Sequence, residues 1–500
     1  MAFFFQEGPL PRRRSLIILP AEVNVCRKLL SLNLPTARLL PCPVRSPPPS
    51  LGMICVNYAR GFAAVPPGQA QGPVKNQPRR VGHIPLPTFA ILFFFALIFH
   101  LLAAFSSRGS ESAGAQFQAM ELARSKAFHH AQTDLAADLR QKSRPMLQPA
   151  LALLLAQGAN QCGITNRSAQ IVLAGIVSAA LGICLSLLMF STYRERCTTE
   201  SARTWLFSLL LLLWFLVSIH ASFSPEAWAG MLFFYGIVWF LRHQSGGDAI
   251  NILIGLPFGL SLFFRFEALF MIAGFVAWLA LVEHEDLQTI ASLVVGMAGG
   301  VLVGILVDRN LYGEWTFTPW NYLTARGPGG AFFPSGAHPW WFYFSEIFTW
   351  GTYPIGGLVV VTGLLFLVLF RREVLTWVVL PYLVVHMLLP AKDLRFLFPL
   401  VPAVPVMIFL SLQKVYSWVR PESAGEKVDR FAYWIVQPVW IFNLILLVVV
   451  SLVPVDTVGP AYRKLLGQSG SQSTAAQGEG STPASVARPG GAVASSAGVR

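Results

Sequence analysis

The sequence predicts an all-α polytopic membrane protein, and its composition and the arrangement of its apolar residues both indicate this class. Of the 500 residues, 54% are hydrophobic and 12% are charged, whereas soluble domains carry about 25% charged residues. The hydrophobic residues fall in long runs and do not follow the short periods of amphipathic strands or helices. Runs of about 20 apolar residues are the length that a helix needs to cross a bilayer.

The apolar runs predict a bundle of about 11 transmembrane helices, several of them short enough to be half-helices or tilted. The predicted spans are residues 86–105, 169–190, 204–221, 226–241, 249–264, 268–282, 289–307, 354–370, 374–390, 396–413 and 431–454.

Residues 84–454 are therefore predicted to form one transmembrane domain between two disordered ends. The N-terminal arm, residues 1–83, is rich in Pro and Arg, and its apolar stretches are too brief to span a membrane. Met53 offers a later start, so an overextended start is the alternative interpretation of the arm. In the tail, residues 455–500, the last part is mostly Gly, Ser and Ala and has too few large apolar residues to build a core.

Charge places the arm on the inner side of the membrane and the tail on the outer side. With this orientation most of the basic residues lie in inner loops or in the arm, as the positive-inside rule requires. The short outer loops receive few basic residues, namely Arg265, Arg309, Arg326, Lys392 and Arg395.

The outer side then collects almost every connecting segment with unusual polar or aromatic content. These segments are the long loop 106–168, the turn 222–226, the break 265–267, the loop 308–353 and the cluster AKDLR at 391–395. The inner connections are short and plain. Such asymmetry is typical of a membrane enzyme that works at the outer, or lumenal, leaflet.

The cluster AKDLR places Lys392, Asp393 and Arg395 between two apolar runs. A charge at bilayer depth costs about 2.5–3.5 kcal/mol on insertion scales. One interpretation is a tight interfacial turn whose arginine reaches the lipid headgroups. The other is an anion site for a lipid phosphate, because Lys and Arg bind phosphate oxygens well at low dielectric.

Three segments occur in the order and spacing of a known family pattern. They are DRNLYGEWTFTPWNYL from residue 308, GAHPWWFYF at 336–344 and AKDLRFLFPLVP from residue 391. The pattern resembles that of glycosyltransferase family 22, the polyprenyl-phosphate-mannose-dependent mannosyltransferases of GPI-anchor and N-glycan assembly and their bacterial relatives. SRPMLQPAL at 143–151 is similar to the stretch that closes the first outer loop in that family.

The resemblance implies a GT-C-type glycosyltransferase bundle with a long first outer loop. It implies an inverting mannosyltransferase that moves a hexose from a polyprenyl-phosphate donor to a lipid-linked or glycan acceptor. Lys392 and Arg395, with Arg144, would bind the donor phosphate. The pocket would be shaped by six further residues, namely Asp308, Tyr312, Trp315, Asn321, His338 and Asp393.

The sequence departs from the family pattern at one histidine and at several acids. The family's H-K-E-x-R-F has Ala391 here in place of its histidine and Asp393 in place of its glutamate. In the first outer loop, Gly114 and Ala115 occupy the positions of two family acids. The resemblance implies that such an acid takes the proton of the acceptor hydroxyl during transfer.

Three carboxylates are candidates to replace the missing base. Glu111 lies three residues before the vacant position, and Glu226 and Glu267 lie at span ends on the outer face. Acids at membrane depth are functional candidates by default. The alternative for Glu226 and Glu267 is an ion pair with Arg265 or Lys392.

The sequence predicts no cofactor, no metal and no nucleic-acid partner. The net charge of +13 is explained by the positive-inside rule, and no groove-reading motif accompanies it. No nucleotide-binding glycine loop occurs, and the six cysteines show no metal-ligand spacing. Partners would be the lipid-linked donor, the acceptor and membrane lipids. The location would be the bacterial inner membrane or the eukaryotic endoplasmic reticulum.

Two alternatives to an active enzyme stay open. The vacancies at Gly114, Ala115 and Ala391 favour a family member that has lost catalysis and serves as a lipid-binding or assembly protein. A transporter of lipid-linked sugars ranks third. Transporters usually show internal repeats and charges at the membrane midplane, whereas this sequence shows no convincing repeat and has its charges at one face. An enzyme should present a carboxylate and Lys392 in one pocket.

Overall fold

The computed structural model describes residues 86–106, 141–243, 247–325, 338–390, 392–419 and 425–452. All of them belong to one of two structural units, and the other unit, residues 5–82, lies outside the described ranges. The predictions for the arm and the tail lie outside them as well. The same is true of Glu111, Gly114, Ala115 and Ala391.

Within these ranges the secondary structure is entirely helical, with no strand. The α-helices are α1 Leu86–Ser106, α2 Leu147–Gln161, α3 Arg167–Tyr193, α4 Glu200–Leu212, α5 Trp214–Ala221, α6 Pro225–Arg242, α7 Asp248–Phe264, α8 Ala268–Trp278, α9 Leu287–Tyr312, α10 Thr318–Ala325, α11 Phe342–Trp350, α12 Tyr353–Leu369, α13 Val374–Leu388, α14 Val404–Val419 and α15 Gly425–Leu452. Leu279–Glu283 continues α8 as a π-helix, and a 3-10 helix, Leu394–Ala403, leads into α14.

The described chain carries apolar helices long enough to cross a membrane, which supports a membrane protein. Four helices in these ranges meet that length and composition, or six if each of two bent helix pairs forms one span. Helix α7, helix α8 with its π-helical extension, and residues 436–452 of α15 are apolar but shorter. Within the described residues each predicted span overlaps helix over most of its length, while the count of about 11 crossings stays a prediction.

One predicted span, 204–221, is broken into two helices inside the protein. Leu213 has an extended backbone between α4 and α5, and the two helices are bent by 45°. The side-chain amide of Asn443 donates to the Leu212 carbonyl oxygen at 2.8 Å and accepts from the Trp214 amide at 3.2 Å. A break at bilayer depth is tolerated because another helix satisfies the freed backbone groups.

Helices α7 and α9 pack closely because both carry glycines at four-residue spacing. Gly255 and Gly259 of α7 face Gly296 and Gly300 of α9, and a methyl group on any of them would overlap the opposite backbone. Small residues at this spacing let two membrane helices approach to backbone contact, where dispersion forces hold them together.

Replacing Gly259 with leucine is expected to separate α7 from α9 and to destabilise the protein by about 2 kcal/mol or more, within the range known for overpacked cores. The measurement is the thermal unfolding midpoint of purified protein in detergent. Gly363→Leu on α12 is the matched control, because no atom lies within 4 Å of a Cβ built there. Equal midpoints for the two variants would contradict the close packing.

The family-like segments meet at one end of the bundle, which we call the motif end. It comprises residues 141–146, 222–226, 265–267, 308–325, 338–341, 389–390 and 392–396, and direct side-chain contacts described below link most of these segments. At the opposite end Arg196 forms an ion pair with Glu373, and the Gln413 amide donates to the Arg196 carbonyl oxygen at 3.0 Å.

Local sequence determines where several elements at the motif end begin or stop. Ser224 caps α6, whose first residue is Pro225, by accepting from the Ala227 amide at 3.3 Å. Gly313 ends α9 with a φ of 78°, a left-handed conformation that glycine adopts without strain.

Candidate active site

The segments around residues 338 and 392 are joined by hydrogen bonds that end on backbone carbonyl oxygens. The Lys392 Nζ donates to the His338 carbonyl oxygen at 3.0 Å and also to the Leu389 carbonyl oxygen, where α13 ends. The His338 amide donates to the Pro390 carbonyl oxygen at 3.2 Å. Two segments more than 50 residues apart in the chain thus form one surface.

Asp393 and Arg395 form a local ion pair. The Asp393 carboxylate accepts from the Arg395 amide at 2.8 Å, and so caps the 3-10 helix. Its other oxygen accepts from the Arg395 guanidinium at 2.9 and 2.6 Å. Both guanidinium contacts end on one carboxylate oxygen, and the Arg395 side chain is 54% exposed, so the pair directs the Arg395 charge toward Asp393 and leaves it accessible to a ligand.

This surface lines a cavity of about 560 Å³. The charged side chains in its lining are Lys392, Asp393, Arg395 and Glu346, and His338 also contributes. Most other lining residues are apolar and come from α5, α11, α12, α13 and the segment 394–408. A pocket with a charged rim and a large apolar wall fits an amphiphile that has a polar head and a hydrocarbon chain.

Lys392 retains capacity for a ligand in this cavity. An ammonium group has three donors, and the two described contacts use carbonyl oxygens. Desolvation lowers the pKa of the Lys392 amine from its ordinary value. In the ammonium form, the third donor of Lys392 can serve an anionic oxygen that enters the cavity.

A second cluster, centred on Arg265, lies at the same end. The Arg265 guanidinium contacts Glu226 at 3.1 Å and Glu267 at 3.3 Å, and all three side chains are at most 14% exposed. The Tyr322 hydroxyl donates to the second Glu267 oxygen. The predicted pairing of both glutamates with Arg265 is therefore present, and pairing with Lys392 is not among the described contacts.

The Arg265 cluster adjoins the segment that carries Lys392. The Arg265 guanidinium lies 4.9 Å from the Phe396 ring centroid, and the Tyr382 hydroxyl donates to the Phe396 carbonyl oxygen at 2.6 Å. Burial alone would lower the pKa of Arg265, but the carboxylates of Glu267 and Glu226 more than offset burial and raise it. Arg265 therefore stays charged beneath this segment.

The segment DRNLYGEWTFTPWNYL holds the described end of the first long loop, residues 142–146. The buried Asp308 carboxylate accepts from the Met146 amide at 2.8 Å and from the Thr318 hydroxyl. The Tyr312 hydroxyl donates to the Arg144 carbonyl oxygen at 2.8 Å, and the Asn321 amide donates to the Lys142 carbonyl oxygen at 3.2 Å.

Through these contacts, three residues predicted to shape the pocket hold the backbone of residues 142–146 in place. Lys142 adds an ion pair with Glu314, so a short stretch of backbone is held from several directions. Asp308, Tyr312 and Asn321 fix the stretch that leads into α2. Their direct contact with a substrate stays a prediction.

Replacing Asp308 with alanine is expected to destabilise the protein by about 3 kcal/mol, since each buried group left without its partner costs about 1–3 kcal/mol. The Met146 amide loses its acceptor, and Met146 is fully buried. Asp308→Asn keeps an acceptor and should cost less. The measurement is unfolding by denaturant in mixed micelles.

Asp248→Ala is the matched control for Asp308. Asp248 is an exposed carboxylate whose hydrogen-bond partner is the Gln288 amide at 2.6 Å. It should change stability by less than about 1 kcal/mol, as exposed pairs do. An Asp308→Ala variant as stable as Asp248→Ala would contradict a stabilising role of the Asp308 contacts with Met146 and Thr318.

Other predicted site residues lie away from the cavity. Trp315 is exposed and stacks on the Arg309 guanidinium, 4.1 Å from its ring centroid. Neither Trp315 nor Arg144, Asp308, Tyr312 and Asn321 belongs to the described lining of the cavity. Glu111 lies outside the described residues, so its catalytic role stays a prediction.

The sequence interpretation did not single out Glu346, although it lines the cavity. The available signal was a lone acid inside the apolar segment FYFSEIFTW of the predicted outer loop 308–353. Within the described ranges, no group of three or more His, Cys, Asp or Glu side chains could hold a metal ion.

Comparison with known proteins places this arrangement in context. The sequence pattern of the Alg9-like mannosyltransferase family matches residues 91–486. The chain is 31% identical to GPI alpha-1,2-mannosyltransferase 3 of Bos taurus over 123 residues, which are 24% of this chain and 22% of that protein. The first curated relatives are thus matched over about a fifth of their length.

A longer match joins the chain to the mouse protein of the same name. It is 24% identical over 367 residues, 69% of this chain and 62% of that protein. Among solved structures, ArnT from Cupriavidus metallidurans in the apo state has a TM-score of 0.45 and 14% identity, with 74% of each chain covered. ArnT bound to undecaprenyl phosphate has a TM-score of 0.46 and 12% identity, with 76% of this chain and 77% of that chain covered.

Proposed function

Because the chain belongs to the Alg9-like mannosyltransferase family, we propose that it transfers mannose from a polyprenyl-phosphate donor to a lipid-linked or glycan acceptor. The helical bundle would be of GT-C type. The cavity beside Lys392 is the observation that carries this proposal.

The cavity suits both parts of such a donor. Lys392 and Arg395 provide positive charge at its rim, and the apolar wall formed by α12, α13 and the segment 394–408 can take a polyprenyl chain. Charge-assisted hydrogen bonds to phosphate are stronger than neutral ones, so the rim would fix the end of the lipid at which the sugar is attached.

The transfer would proceed as a single displacement. The acceptor hydroxyl oxygen attacks the anomeric carbon of the sugar while the bond from that carbon to the phosphate oxygen breaks. The hydroxyl proton goes to a carboxylate within hydrogen-bond reach, and polyprenyl phosphate leaves as an anion that Lys392 and Arg395 stabilise. Glu111, Glu226 and Glu267 stay the predicted candidates for that base. Glu111 lies outside the described residues. Glu226 and Glu267 are paired with Arg265 and do not belong to the described lining of the cavity.

The orientation supports transfer at the outer or lumenal face. The positive-inside rule predicts that the motif end faces outward, and Lys392, Arg395 and the Arg265 cluster all belong to that end. The membrane would be the inner membrane in a bacterium or the endoplasmic reticulum in a eukaryote.

A non-catalytic family member is the second candidate, favoured by Gly114, Ala115 and Ala391 at positions where the family pattern has other residues. Such a protein would bind the lipid-linked sugar without transferring it. A transporter is the weaker alternative, because Lys392 and two carboxylates line one cavity, the arrangement expected of an enzyme.

The test is transfer of radiolabelled mannose from polyprenyl-phosphate-mannose by membranes that contain the chain, with host lipid extract as acceptor. Product formation above that of membranes without the chain would support the enzyme. Glu111→Ala, Glu226→Gln and Glu267→Gln then identify the base, since its loss should abolish transfer. No product from folded protein with a competent acceptor would overturn the enzyme and favour the binding protein.

A further inference from the structure

Most described carboxylates at the motif end are occupied by contacts within the protein. Glu226 and Glu267 share Arg265, and Asp393 binds Arg395. Asp308 accepts from Met146 and Thr318.

Glu346 differs from these carboxylates. It lines the same cavity as Lys392, and no ion pair or hydrogen bond of its side chain occurs in the described structure. It is only partly buried, and a ligand in the cavity can reach it.

Helix α11 presents Glu346 to the cavity from a defined position. The Phe342 ring packs against the His338 ring at a tilt of 39°, with centroids 4.4 Å apart. This contact ties the start of the helix to the residue whose carbonyl oxygen also binds Lys392. Glu346 follows Phe342 by four residues, and side chains at this spacing share one helix face. Phe342, Tyr343, Glu346 and Trp350 all line the cavity.

The chemistry of this position favours a ligand that has hydroxyl groups. A carboxylate that faces an apolar wall is costly unless it is hydrogen-bonded, and an ionised carboxylate can only accept hydrogen bonds. A phosphate would be repelled by it, and a polyprenyl chain offers no donor. A sugar offers adjacent hydroxyls, and it is bonded directly to the phosphate that the rim would hold.

We infer that Glu346 accepts hydrogen bonds from hydroxyl groups of the sugar carried by the donor lipid. It thereby determines the preference of the cavity for a sugar-bearing polyprenyl phosphate over the bare lipid phosphate. This inference rests on the proposed function for the identity of the lipid, but it concerns recognition and does not require turnover.

The experiment measures binding by the full chain purified in detergent. The two probes are a short-chain polyprenyl-phosphate-mannose and the same polyprenyl phosphate without sugar. Wild type is expected to bind the mannose-bearing probe about tenfold more tightly, equivalent to about 1.4 kcal/mol. Glu346→Ala should remove this preference and leave the affinity for the bare phosphate unchanged or higher, because a negative charge is lost.

Two further variants keep the test decisive. Glu346→Gln preserves size, so it reports on the carboxylate even if Glu346→Ala folds poorly, and it should reduce the preference at least threefold. Ser345→Ala is the neighbouring control, since the Ser345 hydroxyl donates to the Phe342 carbonyl oxygen of its own helix at 2.8 Å. It should retain the full preference.

Several results would overturn the inference. These are a wild type that binds both probes equally, variants that keep the wild-type preference, and variants that lose affinity for both probes by the same factor. A Glu346→Gln enzyme that binds normally but loses turnover and the acidic limb of its pH profile would make Glu346 the base instead. Transfer by wild type, measured on the same preparation, tests the proposed function separately.

Discussion

Replacing Lys392 with alanine is expected to lower mannose transfer by about 100-fold or more, the loss typical when one preorganised donor to a developing anion is removed. The leaving polyprenyl phosphate would lose a charged donor in a cavity whose wall is mostly apolar, where water replaces it poorly. The readout is the initial rate of product formation at saturating acceptor, compared with wild type.

Two variants separate the loss of charge from the loss of structure. Lys392 also binds the Leu389 carbonyl at the end of α13, so the unfolding midpoint of Lys392→Ala must be measured beside its rate. Lys392→Arg keeps the charge and should retain part of the activity. Lys414→Ala is the matched control, because Lys414 lies on α14 over the Trp418 ring, away from the cavity.

Arg395→Ala should also impair transfer, since it leaves the Asp393 carboxylate beside the phosphate without its partner. Like charges at close range are unfavourable. If Lys392→Ala and Arg395→Ala both left transfer at the wild-type rate, the cluster AKDLR would not bind the donor phosphate, and an interfacial turn would be the better interpretation.

Replacing Arg265 with methionine is expected to destabilise the protein by about 3–5 kcal/mol, the range for a buried ion pair that loses one partner. The carboxylates of Glu226 and Glu267 would then face each other with little exposure and no opposing charge. The measurement is the free energy of unfolding in mixed micelles at neutral pH.

The same cluster allows a rescue experiment. Neutralising both acids in the Arg265→Met background, with Glu226→Gln and Glu267→Gln, should recover a large part of the lost stability, because uncompensated charge and not lost packing causes the damage. Arg309→Met is the matched control, since Arg309 is exposed and stacks on Trp315. A triple variant no more stable than Arg265→Met would show that packing over Phe396 dominates.

The class of protein and the places of its helices could be predicted from the sequence. The bilayer requires a spanning segment to be apolar and helical, so each apolar run predicts a helix without knowledge of its neighbours. This reasoning does not detect a break that a distant residue makes possible. The span 204–221 can break at Leu213 because Asn443, more than 200 residues away, satisfies the freed backbone groups.

The site could be predicted only in part. The spacing of charges indicated Lys392, Asp393 and Arg395, and the structure places them around one cavity with His338. Asp308, Tyr312 and Asn321 were also indicated, but their contacts with residues 142–146 depend on how α9 meets the start of α2. No local pattern encodes that meeting.

A helical membrane protein whose polar motifs gather toward one face could be predicted from the residues alone, because both features follow from the cost of placing charge and backbone in lipid. Which of the described carboxylates are engaged, and that Glu346 is open to a ligand, depends on how the helices pack. Glu226 and Glu267 could not be separated from Glu346 by position in the chain. Glu226 and Glu267 both contact Arg265, whereas Glu346 faces the cavity. The packing of the helices sets how far each carboxylate lies from Arg265 and from the cavity.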